Sequence, residues 1–140
     1  MKVSAVNPIL NVSDISESFS WFAQLGWSVG FEWKDEPADP RSPIEFASVT
    51  CGEHEIFLCR GAQGGRGKGA NTSTFEAEGD TTLDKGVWMS IFVEDFDVVH
   101  DRCVNAGLEV THPPTIESWG VREMHVRHPD GHVFRIGAAA

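Results

Sequence analysis

The side chains of this 140-residue chain that could do more than pack are six histidines, three cysteines and a set of aromatic and acidic residues. His54 and His132 each stand at the start of a predicted strand. His125 and His128 lie on the strand before the second of these and at its end, His100 falls in a helical stretch, and His112 adjoins Pro113-Pro114. Neutral imidazoles bind transition metals and move protons near neutral pH. The chain therefore allows a His54/His125/His132 metal cluster, but the preferred reading makes these turn and strand-edge residues in solvent. Cys51, Cys59 and Cys103 are odd in number and lack CxxC spacing, so they read as reduced thiols. No Ser/His/Asp or Cys/His spacing indicates a nucleophile. Gly64-Gly65-Arg66-Gly67-Lys68-Gly69 resembles a phosphate loop only in composition, because the flanking strand, the helix and the Gly-Lys-Ser/Thr ending are missing.

The elements that must position these groups come from hydrophobic period. Val3 to Val12 reads as a first strand. Ile15, Phe19 and Phe22 recur at i, i+4 and i+7, which predicts an amphipathic helix capped by Ser13 or Asp14 and closed by Gly26. Trp27, Val29, Phe31 and Trp33 alternate with small or polar residues, the period of a half-buried strand. A loop with Pro37, Pro40 and Pro43 follows, then strands over Ile44–Cys51 and Ile56–Cys59. Residues 61–86 are glycine-rich and read as a long connection. The pattern then recurs. Val87 to Val93 reads as a strand, Asp95 or Glu94 caps a helix with Phe96, Val99 and Cys103 as its buried stripe, and Gly107 ends it. Leu108 and Val110 open a strand that breaks at Pro113-Pro114, and Arg122–Val126 and His132–Ile136 form a final pair around Pro129-Asp130-Gly131.

The second half repeats the first. At an offset of 81, Val12-x-Asp14-Ile15 falls on Val93-x-Asp95-Phe96, and Gly26, Trp27 and Val29 fall on Gly107, Leu108 and Val110. At an offset of 78, Glu45-Phe46 falls on Glu123-Met124 and His54–Leu58 on His132–Ile136. The reading is an α+β fold of two β-α-β-β-β modules in tandem, forming curved mixed sheets with the helices outside and an inner face left for a ligand. The whole chain, 1–140, is one domain, with module 1 at 3–60, a connecting loop at 61–86 and module 2 at 87–137.

The repeated strand-Val-x-Asp-helix-Gly start, with Leu25-Gly26 in the first copy, the closing His128-Pro129-Asp130-Gly131-His132 turn and the Trp119-Gly120-Val121-Arg122-Glu123 stretch resemble the vicinal oxygen chelate superfamily. That family includes glyoxalase I, extradiol dioxygenases, fosfomycin-resistance enzymes and bleomycin-resistance proteins, and the Trp119–Glu123 stretch and Ser4–Leu10 are most similar to the bleomycin-resistance branch. In the turn, a histidine replaces the family's first aspartate. In the Trp-Gly stretch, Ser118 replaces a usual proline. The resemblance implies four metal-ligand positions, which fall on Asn7, Phe57, Trp88 and Arg135. Phe57 and Trp88 offer no donor and Arg135 is a cation, so no metal and no cofactor is expected, and no catalytic residue is assigned.

What remains for that face is aromatic. Trp21 and Trp27 are expected to pack. Phe31, Trp33, Phe46, Phe57, Trp88 and Trp119 are candidate ligand-binding residues, with Gly120, Arg122, Glu123 and Arg135. Flat aromatic walls stack on planar heteroaromatic ligands and attract cations. Glu123 and the acids of the Pro-rich loop are expected to draw in a cationic group, and Arg135 needs a carboxylate, Glu45 or Glu123. Acidic residues outnumber basic ones 21 to 11, for a formal charge of −10. Such a charge disfavours nucleic acid as a partner and otherwise serves solubility. No stretch approaches about 18 apolar residues, so no membrane span is expected. The start, Met1-Lys2-Val3, lacks a signal pattern, which gives a cytoplasmic expectation. The resemblance implies a homodimer that sequesters a cationic aromatic antibiotic such as bleomycin without chemistry. The alternatives are a metal-dependent glyoxalase-, dioxygenase- or thiol-transferase-type enzyme of the same fold, or a metabolic or regulatory binder of another ligand.

Overall fold

Hydrophobic residues sit at the period of two in the strands and near 3.6 in the helices, and the computed structural model, which describes residues 1–60 and 86–140, follows those periods. The chain divides into two compact units, 1–71 and 72–140. In unit 1, β1 (Ile9–Val12) leads to α1 (Ile15–Gln24), β2 (Ser28–Trp33), β3 (Phe46–Cys51) and β4 (His54–Arg60). They form a sheet of order β1-β4-β3-β2, in which β1 and β4 are parallel and the other neighbours antiparallel. In unit 2, β5 (Trp88–Phe92), α2 (Phe96–Ala106), β6 (Glu109–Ile116), β7 (Val121–Arg127) and β8 (Val133–Ala139) form a sheet of order β5-β8-β7-β6 with the same directions. This is the predicted α+β fold of two β-α-β-β-β modules with mixed sheets.

Each sheet turns one face to its helix. In unit 1 the buried set is Leu10, Val12, Ala47, Val49, Ile56 and Leu58, with Ile15, Trp21 and Phe22 from α1. Ser18 takes the buried helix position expected of Phe19, which lies half-buried at the border of the stripe. Asp14 caps α1, accepting from the Glu17 amide at 3.0 Å. Unit 2 buries Met124, Val126, Phe134 and Ile136 with Phe96, Val99 and Cys103, the predicted stripe of α2. Each large side chain buried in this way contributes about 1.5–3 kcal/mol. Gly107 closes α2 at φ 68°, where only glycine is unstrained. Burial also lifts the Cys103 thiol to about 11, so it stays protonated and inert.

Four expectations are corrected. The first strand starts at Ile9 rather than Val3, and β3 starts at Phe46 rather than Ile44. Pro113-Pro114 does not break β6. That strand is at the sheet edge, where a missing N–H costs little, and its register shifts on both sides of His112 absorb the prolines. The repeat offset on β3 and β7 is 77, not 78. Phe46 pairs with Cys59, whereas Glu123 pairs with Gly137, 78 residues beyond Cys59. Phe46 is therefore equivalent to Glu123, and buried Ala47 to buried Met124. A one-residue slip exchanges sheet faces, so this correction decides which residues share a site. The connection at 61–86, with its glycine-rich 64–69 stretch, lies outside the described residues save for Gly86.

The β7–β8 turn holds two buried imidazoles. The Asp130 amide donates to His128 Nδ1 at 3.0 Å, and the Val87 amide donates to His132 Nδ1 at 2.9 Å. These histidines are turn-builders, as the preferred reading had it, but buried rather than solvated. Burial, with some help from His132 and against the pull of Asp130, holds His128 down at about 4. In the unfolded chain its imidazole titrates near its ordinary 6.5. The fold therefore refuses a proton that the unfolded chain accepts between these values. Stability is full above pH 6.5, falls as pH drops, and has lost about 3 kcal/mol once pH is below 4. Urea unfolding at pH 7 and pH 4.5 is expected to show this loss, and His128→Asn, which keeps an acceptor for the Asp130 amide, to flatten it.

Candidate functional site

The face of each sheet opposite its helix carries the side chains that the core does not use. In unit 1, alternation places Phe46 and Ser48 of β3, Glu55 and Phe57 of β4 and Ile9 of β1 on that face, since Ile9 pairs with Phe57 and Ser48 with Phe57. Phe31 of β2 joins them. Its ring stacks on Phe46 with centroids 5.6 Å apart, and it meets Phe57 edge-on at 5.6 Å. Phe46 and Phe57 close the triangle at 5.5 Å. Trp33 stands opposite Phe46 in the register and is exposed, which extends the aromatic surface to the sheet edge. Four predicted site residues, Phe31, Trp33, Phe46 and Phe57, thus share one face.

A polar chain borders the triad. The buried Ser48 hydroxyl donates to Glu55 Oε2 at 2.7 Å and accepts from the Phe31 amide at 3.1 Å. Asn7 Nδ2 donates to the Glu55 carbonyl at 3.1 Å. This arrangement depends on Gly30. A Cβ there would come within 2.1 Å of Ser48 Oγ and 3.3 Å of Glu55 Oε2.

The equivalent face of unit 2 has different chemistry. Glu123 is buried and takes two bonds from Arg135 Nη2, at 2.8 and 3.1 Å. Of the two predicted partners of Arg135 it is therefore Glu123, while Glu45 pairs with Arg60 at 3.0 Å. Trp88 is half-exposed and meets the His125 ring edge-on at 5.2 Å. His125 lies 4.6 Å from the His112 ring, and His112 Nε2 is 2.8 Å from Glu117 Oε1. Burial, then the neighbouring His112, hold His125 below its ordinary range despite the pull of Glu123. Its imidazole is therefore neutral at neutral pH. His125 Nε2 and Arg135 Nε are buried and make no hydrogen bond.

The remaining predicted residues lie elsewhere. Trp119 and Gly120 form the β6–β7 turn, with Trp119 exposed and Gly120 at φ 85°. Arg122 is on the helix side of β7. Its guanidinium lies 4.5 Å over the Phe96 ring and 2.8 Å from Asp97, so it is not gathered with Glu123 and Arg135. Ser48, Glu55, His112, His125 and Glu117 were not among the predicted site residues. The period-of-two rule, applied to Phe57 and Arg135, would have placed Glu55 and, in the corrected register, Ser48 and His125.

The family's four metal positions do not fit a metal. Phe57 belongs to the aromatic triad, Trp88 packs on His125, Arg135 holds Glu123, and the Asn7 amide is turned to a backbone carbonyl. Among the described residues no three His, Cys, Asp or Glu side chains converge on a possible metal. Two helix-backed sheets, each with its other face lined by groups that stack, pair charge or hydrogen-bond, make a fold of two repeated modules. Residues 4–136 match the model of the Glyoxalase/Bleomycin resistance protein/Dioxygenase superfamily, and the chain belongs to that family. Among solved structures it is similar to TioX from Micromonospora sp. ML1, with 21% identity over 98% of this chain and 97% of that one and a TM-score of 0.66. It is similar to a bleomycin-binding protein crystallised with bleomycin, with 14% identity over 99% of this chain and 100% of that one and a TM-score of 0.64. It is also similar to a glyoxalase-related enzyme from Clostridium phytofermentans, with 16% identity over 100% and 98% of the two chains and a TM-score of 0.70. No curated protein matches the chain. No helix among the described residues is long and apolar enough to cross a membrane.

The Glu123–Arg135 pair can be weighed directly. Removing Arg135 leaves a buried carboxylate without its cation, whereas removing both leaves none. Arg135→Met is expected to destabilise by about 2 kcal/mol, a value lowered from that of a fully buried pair by the partial exposure of Arg135. Glu123→Met with Arg135→Met is expected to cost less than the single change. A double-mutant cycle by urea denaturation measures both.

Proposed function

We propose that the protein binds a cationic aromatic small molecule on its open sheet faces and sequesters it without changing a bond, in the manner the resemblance to bleomycin-resistance proteins implies. The observation that carries this reading is the Phe31–Phe46–Phe57 triad, which puts a stacking surface at one of the family's metal-ligand positions. Stacking on such a triad suits planar heteroaromatic rings. Trp33 and Trp88 offer further exposed ring surface. The net charge of −10 favours a cationic ligand over an anionic one. The similarity to a bleomycin-binding protein in complex with its drug makes a bleomycin-like antibiotic the first ligand to test. The reading includes a cytoplasmic homodimer, with Trp119-Gly120 of the β6–β7 turn contributing to the ligand cleft.

The alternative, a metal-dependent enzyme, draws on the similarity to a glyoxalase-related enzyme. Against it stand the side chains at the four family positions. Metal analysis of purified protein separates the two, because one Mn, Fe, Ni or Zn per chain would overturn the non-catalytic reading.

Isothermal titration with bleomycin is expected to show saturable binding. Phe57→Ala is expected to weaken it about tenfold or more, as the loss of one stacking partner of about 1.5 kcal/mol requires. Absence of heat would remove the drug-specific claim. A monomer by light scattering would remove the intersubunit cleft.

A further inference from the structure

We propose that Glu55 is the residue that selects a cation: its carboxylate is held at the border of the Phe31–Phe46–Phe57 triad as the counter-ion for a positively charged group on the bound ring system. This rests on the binding reading above and adds to it the group that sets ligand charge.

Glu123, which sequence alone nominated for this role along with the acids of the Pro-rich loop, is taken. Both its oxygens accept from Arg135, so the pair presents little net charge to a ligand. Glu55 is placed differently. It lies two residues from Phe57 on the same face of β4 and opposite Thr50 of β3. One oxygen, Oε2, is fixed by the Ser48 hydroxyl at 2.7 Å. Ser48 is itself fully buried and held by the Phe31 amide, so the carboxylate is tied to the backbone of the strand that carries a triad ring. A neutral hydroxyl donor orients the carboxylate and leaves its charge in place, unlike the guanidinium on Glu123. Gly30 keeps the space open, because any β-carbon there would displace the Ser48 hydroxyl. Three adjacent strands thus supply three rings, one oriented carboxylate and the glycine that leaves room for it. Aromatic faces with a carboxylate beside them favour a planar cation through ring-face attraction and direct charge pairing.

The test uses three two-ring probes of matched size and different charge: N-methylquinolinium, quinoline at a pH where it is neutral, and 2-naphthoate. Equilibrium dialysis of the full chain at low and moderate salt reads their affinities. The expected order is cation, then neutral ring, then anion, with the cation preference shrinking as salt rises. Glu55→Gln keeps an acceptor for Ser48 and nearly the same shape. It is expected to weaken N-methylquinolinium about tenfold while leaving quinoline within about twofold. Ser48→Ala, which frees the carboxylate without removing its charge, is expected to give a smaller loss. If Glu55→Gln leaves the cation preference intact while Phe57→Ala weakens all three probes, this inference is overturned and the binding reading stands. If none of the three probes binds, or if binding is indifferent to Phe57→Ala, both fall.

Discussion

A four-stranded sheet has two faces, and among the described residues each unit has one helix, which covers one of them. That imbalance organises the rest. Strand side chains alternate, so half of each strand packs beneath the helix and the other half must find another use. The helix-side halves are ordinary cores: Leu10, Ala47, Val49 and Leu58 in unit 1, and Met124, Val126, Phe134 and Ile136 in unit 2. The opposite faces carry Phe31, Phe46 and Phe57 in one unit and His112, Glu123 and Arg135 in the other. A chain that leaves three phenylalanine rings on a face outside its helix-backed core has a surface suited to recognition, and such surfaces tend to mark binding.

The two faces are the same positions filled differently. Phe46 and Phe57 touch across β3 and β4, and their repeat equivalents, Glu123 and Arg135, touch across β7 and β8. One pairing is a ring contact, indifferent to charge. The other is an ion pair that contributes little net stability once desolvation is counted. It also occupies both oxygens of Glu123, whereas Glu55, two residues from Phe57 on β4, is held by a neutral hydroxyl.

Much of this was legible in the residues, and the failures have physical causes. The helix stripe of Phe96, Val99 and Cys103 was readable because positions i, i+3 and i+7 fall on one face of a helix and on both faces of a strand. The start of α1 and the end of α2 were readable because Asp14 and Gly107 sit where caps must be, whereas Asp95, expected to cap α2, makes no side-chain cap bond. The pairing of Phe46 was not. Matching Glu45 to Glu123 gave an identity in the sequence, yet the hydrogen-bond ladder pairs Phe46, not Glu45, at the place of Glu123. One residue of slip sent Glu123 to the wrong face of the comparison and hid the match between Ser48 and His125. Pro113-Pro114 misled for a related reason, because a strand's tolerance of proline depends on whether it lies at the edge, which local sequence does not state.

The site residues divide along the same line. Aromatic candidates were found because large rings on alternating positions are conspicuous whichever way they point. Ser48 and Glu55 were missed because each is commonplace alone. A serine inside a strand and a glutamate near a hairpin acquire meaning only through a 2.7 Å bond across two strands and the missing side chain of a third. Arg122 shows the converse. Its place in a recognisable motif suggested ligand contact, yet its guanidinium covers Phe96 and pairs with Asp97 on the helix side. Part of that motif therefore fastens β7 to the start of α2. A motif in this fold can be shared between the face that holds the helix and the face that is free, and only the alternation of the strand assigns each residue to its side.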